Sequence, residues 1–322
     1  MVGTLLEESV RRTFITDGES SPGGRPVDFQ QTIPRNLVHR AAVSEVFVTD
    51  LNIVGEGRFE VGAQWPRRHG FFGPCAPGSH DPMLFAETCR QAGLLIAHRA
   101  YGVSLGTAFI SDHKVSSVTA EGLATAGRPI DVVLRVSAHE PVFRKENLVG
   151  MRTDFGCFRD GELIGTASES WRCVSPAVYR RLRGDHFAAT PFQACALDTV
   201  EPVLVGRDRK GDVLVADTAL AGTWSLQFDP DHPVLFDHST DHVPGMVLME
   251  GARQAALLTL GDPQALPLRS DFEFSAYVEF DSECLLVAEE LEPDADGCRL
   301  VRVVAEQKGR SVASGTLAMR RS

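Results

Sequence analysis

"PMLFAETCRQAGLLIA" (residues 82–97) returns, loosely rewritten, as "GMVLMEGARQAALLTL" (residues 245–260). At an offset of 163 residues, Met83/Met246, Glu87/Glu250, Arg90/Arg253, Gln91/Gln254, Ala92/Ala255, Leu94/Leu257 and Leu95/Leu258 coincide, seven of sixteen positions without a gap. A match that dense within one chain marks a duplicated unit. The same offset sets His69 against His232 upstream of each segment. Downstream, "SDHKVSS" (111–117) meets "SDFEFSA" (270–276), and "DGELIGTASESWRC" (160–173) resembles "KGRSVASGTLAMRR" (308–321). The last two each read as a tight turn followed by an alternating strand. The chain therefore reads as two tandem modules, 36–175 and 200–322, joined by a linker at 176–199. The segment 1–35, with its "SSPGGRP", reads as loosely ordered.

Each module carries one prominent helix and several strands. "LVHRAAVSEVFVTDLNIV" (37–54) and "DVLVADTALAG" (212–222) read as strand pairs ahead of the helix; three alternating runs follow it in each copy. With a single helix to cover several antiparallel strands, the expected class is α+β, a curved antiparallel sheet wrapped round a central helix in each module. Asp81 is placed to cap the first helix, with Pro82 at its first position and Gly102 as its stop. Asp241 and His242 are the expected caps of the second. Gly245 would leave backbone N–H groups at that helix start open to a carbonyl or an anion.

Both helices are apolar on nearly every face, the pattern of a buried helix. The exceptions, Glu87, Arg90 and Gln91, and their twins Glu250, Arg253 and Gln254, fall within about one turn. Three readings fit: an exposed i,i+3 ion pair, a buried structural pair, or a functional group. Buried pairs contribute little to stability for their desolvation, so the third makes these residues candidates for chemistry. His69 and His232 are candidates because both copies keep them, either for catalysis or for structural hydrogen bonds. His238 and His242 have the i,i+4 spacing of metal ligands, but the first module has no matching pair. No metal is expected.

Other classes are bounded by composition. Thirty-two Lys and Arg against 43 Asp and Glu give a net charge of −11 over 322 residues, unsuited to neutralising nucleic-acid phosphates. Short basic runs at 66–69 and 180–183 read as solvated surface or as docking points for an acidic partner. The N-terminus lacks the basic start and apolar core of a signal peptide, and no run is long enough to span a membrane. Seven scattered cysteines without C-x-x-C point to a reducing cytoplasm, with Cys89 a core residue. Neither G-x-G-x-x-G nor a P-loop occurs, and no cofactor is expected.

"DHVPGMVLMEGARQA" (241–255) resembles the loop and central helix of hotdog-fold hydroxyacyl-ACP dehydratases. Their catalytic histidine lies fourteen residues before the acid, where this chain has Phe236 and, in the first module, Gly73. The doubled E-x-x-R-Q-A, with "DHVPGM" and "LVHRAAVSEVFVTD", is closer to the A-factor biosynthesis hotdog family, bacterial γ-butyrolactone autoregulator synthases. This resemblance covers most of the chain beyond residue 36. It implies a double hotdog that transfers a β-ketoacyl group from an acyl-carrier-protein thioester to dihydroxyacetone phosphate, giving an ester that cyclises to a butenolide. On that chemistry Glu87 or Glu250 is the expected general base, its pKa raised by burial. Arg90 or Arg253 would bind the phosphate or pair with the glutamate. Gln91 or Gln254 would orient the substrate, with His69, His232, His242 and Gly245 as further contacts. Two other classes stay open: an acyl-thioester hydratase or thioesterase, and a non-catalytic sensor of an acyl ligand or lactone.

Overall fold

A computed structural model of the chain describes residues 9–14, 25–73, 76, 78–189 and 198–321. They fall into two compact units: the first holds the described residues up to Phe72 and from Gly78 to Tyr179, the second those from Arg180 on together with Gly73 and Ala76. The first unit holds strands β1 (Val48–Gly55), β2 (Arg58–Trp65), β3 (Ala108–Val118), β4 (Ile130–Arg144), β5 (Asn147–Arg159) and β6 (Glu162–Val174), with helix α1 (Pro82–Arg99) between β2 and β3. Helix α2 (Pro176–Arg183) follows. The second unit holds β7 (Val215–Asp217), β8 (Thr223–Leu226), helix α3 (Gly245–Leu260), β9 (Leu266–Phe274), β10 (Cys284–Leu291), β11 (Arg299–Gln307) and β12 (Arg310–Arg320).

The strand order repeats. It is β1-β2-β4-β5-β6-β3 in the first unit and β7-β8-β10-β11-β12-β9 in the second, so each strand has a counterpart six numbers on. The described pairings within each unit are antiparallel. Tight turns join β5 to β6 and β11 to β12, with positive φ at Asp160 and Gly161 and at Lys308 and Gly309. Two successive positive φ angles match the right-handed twist of a two-stranded ribbon, and the glycine takes one of them without strain. These are the turns expected from "DGELIG" and "KGRSVA".

Helix α1 buries sixteen of its eighteen residues. Asp81 accepts from the Met83 N–H (2.9 Å) as its cap, and Pro82 stands at the first position. Phe85, Cys89 and Leu95 are fully buried, and Gly93 brings the helix against Phe155 of β5. Cys89 is a core residue as expected, and burial drives its thiol pKa up. Helix α3 packs on the strands of its own unit, foremost β10 and β11. The α+β expectation, one sheet around one helix in each copy, is therefore what the chain adopts.

Three local expectations change. "LVHRAAVSE" is not strand: Arg35–Val38 and Val43–Glu45 are 3₁₀ turns, and β1 starts only at Val48. The backbone turns there because His39 takes a left-handed φ of 53°, which breaks a strand. The second helix is not capped by Asp241 or His242. Its cap position is Pro244, which makes no side-chain bond, because both predicted caps are engaged elsewhere. In the N-terminal segment, residues 9–14 are helical and bury Val10 and Phe14 against Phe158. Residues 1–8 and 15–24 of that segment, and 190–197 of the linker, lie outside the described residues.

Candidate functional site

Glu87 is fully buried in the middle of α1. The Arg90 Nε donates to one carboxylate oxygen at 2.8 Å and its Nη2 to the other at 2.7 Å, a two-pronged pairing that a guanidinium suits. Gln91 donates to the same carboxylate at 2.7 Å. A third donor comes from outside the helix: the Arg40 Nε at 3.1 Å, with its Nη2 2.6 Å from the oxygen. The second module repeats every one of these bonds. Arg253 grips Glu250 at 2.8 and 2.7 Å, Gln254 donates at 2.6 Å, and the Arg207 Nε donates at 3.0 Å.

The glutamines do more than brace the acids. The second amide N–H of Gln91 goes to the Glu45 carbonyl (2.7 Å), and its oxygen accepts from the Phe47 N–H (2.9 Å). Gln254 does the same with Asp212 (2.8 Å) and Leu214 (2.7 Å). Each glutamine thus stitches the segment entering the first strand onto the helix. Its polar groups are committed to protein partners, so the expected role of Gln91 and Gln254 in orienting substrate gives way to positioning.

The repeated histidines join the same frame. The His69 Nδ1 accepts from the Phe71 and Phe72 N–H groups (3.1 and 3.0 Å), which puts the ring proton on Nε2, facing Glu45 at 3.2 Å. His232 does likewise with Val234, Leu235 and Asp212. Both ring nitrogens are thereby engaged. Of the two readings of these residues, structural bonding is the one this geometry supports.

The expected pKa direction is reversed. Burial alone would raise both glutamates, but the paired guanidiniums and the glutamine amide outweigh it. Glu87 is held far below the usual carboxylate range, and Glu250 is pulled down to about 2. A carboxylate saturated with donors is a poor base. In each module two guanidiniums against one carboxylate leave one surplus positive charge. The copies differ in access: the Arg90 side chain is 21 % exposed and that of Arg253 1 %. Arg40 also lines an open groove with Gln31, Thr32, Arg35 and Asn36.

Arg40 and Arg207 were missed in the sequence, although a signal exists. "LVHRAAVSEVFV" (37–48) aligns with "LVGRDRKGDVLV" (204–215) at an offset of 167, four more than that of the helices. It pairs Arg40 with Arg207, Glu45 with Asp212, and His39 with Gly206, both of which have left-handed φ (53° and 64°). The slip between the two offsets hides the match.

Among the described residues, one constellation belongs to the second module alone. The His242 Nδ1 lies 2.8 Å from Asp241 Oδ1, and the Arg183 Nε donates to the other Asp241 oxygen at 3.2 Å. Asp241 and Arg183 are buried, while the His242 side chain is 26 % exposed and its ring packs edge-on to Tyr277 at 4.7 Å. Three residues on, α3 begins. The Val247 and Leu248 N–H groups return to the Pro244 carbonyl, and no acceptor among the described residues meets those of Gly245 or Met246. In α1 this end is closed, because Pro82 has no N–H and that of Met83 goes to Asp81. Among the described residues no group of three or more His, Cys, Asp or Glu could hold a metal ion. No helix of the described residues is long and apolar enough to cross a membrane.

Comparisons with known proteins add an independent line. The model of the A-factor biosynthesis hotdog domain matches residues 25–175 and 188–321. A 2-oxo-3-(phosphooxy)propyl 3-oxoalkanoate synthase of Streptomyces virginiae is 43 % identical over 88 % of this chain and 96 % of its own length. A protein of the same name from Streptomyces coelicolor is 37 % identical over 88 % of this chain and 90 % of its own. Among solved structures, a putative oleoyl thioesterase from Lactobacillus plantarum (TM-score 0.52, 12 % identity) covers 81 % of this chain and 96 % of its own. A 12:0-ACP thioesterase from Umbellularia californica (TM-score 0.52, 12 % identity) covers 82 % and 98 %. At that identity the two structures bear on the double hotdog fold alone.

Proposed function

The chain belongs to the A-factor biosynthesis hotdog family, and from that premise we propose that it transfers a 3-oxoacyl (β-ketoacyl) group from an acyl thioester to the hydroxyl of dihydroxyacetone phosphate. The product is the 2-oxo-3-(phosphooxy)propyl 3-oxoalkanoate for which its relatives are named. Intramolecular aldol condensation then closes this ester to a butenolide, the precursor of a γ-butyrolactone-type autoregulator. The observation that carries the reading is the 43 % identity across 96 % of a synthase's length. We assign the donor to an acyl-carrier-protein thioester.

The second module offers the parts that acyl transfer needs. His242 is the proposed base, oriented by Asp241 as a buried carboxylate orients a catalytic imidazole elsewhere. It takes the hydroxyl proton as the oxygen attacks the thioester carbon. The oxyanion that forms faces the Gly245 and Met246 N–H groups at the start of α3, where the helix dipole adds to their pull. The C–S bond then breaks, and the thiolate leaves with the proton returned from His242. Glu250 is not the base in this scheme. It holds Arg207 and Arg253 together, and their surplus positive charge balances the substrate phosphate. In the first module Glu87 gathers Arg40 and Arg90 in the same way.

A second reading places the productive site as a whole, phosphate contact included, in the first module. It is favoured by the exposure of Arg90 and by the groove at Arg40. Arg40→Ala and Arg207→Ala separate the two, since the productive copy is the one whose variant raises KM for dihydroxyacetone phosphate.

The function itself is tested with purified protein and a 3-oxoacyl thioester, with and without dihydroxyacetone phosphate, following the phosphorylated ester by mass spectrometry. Ester formed only when both substrates are present supports the reading. Thiol release that is indifferent to dihydroxyacetone phosphate would make the protein a thioesterase. Saturable lactone binding without turnover would make it a sensor.

A further inference from the structure

We propose that Arg180, Arg181, Leu182 and Phe187, on helix α2 and the turn after it, form the surface on which the acyl carrier protein docks. The inference rests on the acyl-transfer reading and names where its donor lands.

The segment gathers exposed cations on an acidic chain. The chain carries a net charge of −11, yet Arg180 and Arg181 stand exposed here, and neither has an ion-pair partner among the described residues. The Arg180 guanidinium lies over the Phe187 ring, 5.1 Å from its centre. Leu182 is 57 % and Phe187 39 % exposed, so apolar and cationic surface are interleaved. The neighbouring carboxylates do little to cancel the charge. Glu279 is gripped by Arg183 at 2.7 and 2.6 Å, and Asp281 by Lys308 at 2.8 Å. Asp185 is the exposed acid of the segment.

An eight-residue helix does not hold itself together in water, so this one must be anchored to present such a face. Arg183 is the anchor, and its side chain is only 2 % exposed. Besides Glu279 it donates to the side chain of Asp241 (3.2 Å) and to its carbonyl (2.8 Å), and it packs over the Tyr277 ring at 4.3 Å. The carboxylate that fixes the helix is thus the one that orients His242. A partner seated on α2 therefore touches an element that is bonded directly to the residue before the proposed base. Carrier proteins are small and acidic and bear the acyl group on a long flexible arm. A cationic rim around two apolar anchors complements such a partner, steering its approach and giving it something to bury.

The test compares the wild-type protein with Arg180→Glu/Arg181→Glu, whose exposed sites leave folding unchanged. Binding of the holo carrier protein is measured by interferometry, and turnover is measured with the same acyl group on carrier protein and on free pantetheine. The expected result is carrier binding weakened about tenfold or more, the range for reversed charges at an interface. Turnover on the pantetheine thioester should stay within about twofold of wild type, and salt should weaken wild-type binding. Unchanged carrier binding in the variant, no binding to the wild type, or an equal loss on both thioesters would overturn the surface. Absence of ester from either donor in the wild type would instead strike the acyl-transfer reading, while the binding data still decide the surface.

Discussion

Arg207 and Glu250, 43 residues apart in sequence, meet in the buried centre of the second module, with a guanidinium nitrogen 2.8 Å from a carboxylate oxygen. Arg40 and Glu87 meet in the same way in the first. Each contact ties the segment just past a 3₁₀ turn (Arg35–Val38 in the first module, Pro202–Val205 in the second) to the central helix and completes a carboxylate held by two guanidiniums and an amide.

Glu250→Gln removes the charge that both guanidiniums share and leaves them buried. Breaking a buried ion pair from one side costs about 3–5 kcal/mol, so the urea midpoint should fall well below wild type. Glu87→Gln should cost less, because Arg90 can turn toward solvent and Arg253 cannot. Chemical denaturation of the two variants side by side checks both the size and the order.

The same pair predicts an acid limit. Folding lowers the Glu250 pKa from an ordinary 4.5 to about 2. A carboxylate more acidic in the folded state stabilises the protein above its unfolded pKa, and that contribution drains away as pH falls from about 4.5 through about 2. Glu87 shifts in the same direction. Stability should be flat in pH down to about 5 and then drop. Glu250→Gln should show a shallower acid slope in pH-dependent unfolding.

Gln254→Leu fits the helix but abandons the Asp212 carbonyl and the Leu214 N–H. Each buried group left without a partner costs about 1–3 kcal/mol. The local consequence is sharper than the global one: hydrogen exchange at the Leu214 amide should quicken more than at amides of β11. Equal acceleration at both would mean that the glutamine does not pin this segment.

His242→Ala and His232→Ala should part company. Losing a general base typically costs about 100- to 10,000-fold in rate, so His242→Ala should lower kcat with little change in unfolding. His232 bridges Asp212 and two backbone N–H groups, and His232→Ala should destabilise the fold first. Parallel kinetics and melting curves distinguish the two outcomes.

The duplication, the buried helices, the Asp81 cap and the hairpin turns were legible because each is written locally, in periodicity or in turn chemistry. Glu87, Arg90, Gln91 and their twins were legible as a group for the same reason. Their roles were not. Burial can be read from a helix's apolar faces, and burial alone raises a carboxylate pKa. The second guanidinium, which reverses the sign, comes from Arg40 or Arg207, more than 40 residues upstream. The Arg183–Asp241–His242 chain was hidden similarly. Arg183 reads as surface in a basic run until the fold turns it inward onto residues 58 and 96 positions away.

Acyl transfer of this kind makes a hydroxyl oxygen of dihydroxyacetone phosphate the ester oxygen of the product. Dihydroxyacetone phosphate labelled with oxygen-18 in that hydroxyl, incubated with the protein and a 3-oxoacyl thioester, tests it directly by mass spectrometry. Ester with the label retained in full, formed fast by wild type and slowly by His242→Ala, is the expected result. Free 3-oxo acid as the sole acyl product, or ester that has lost the label, would contradict it.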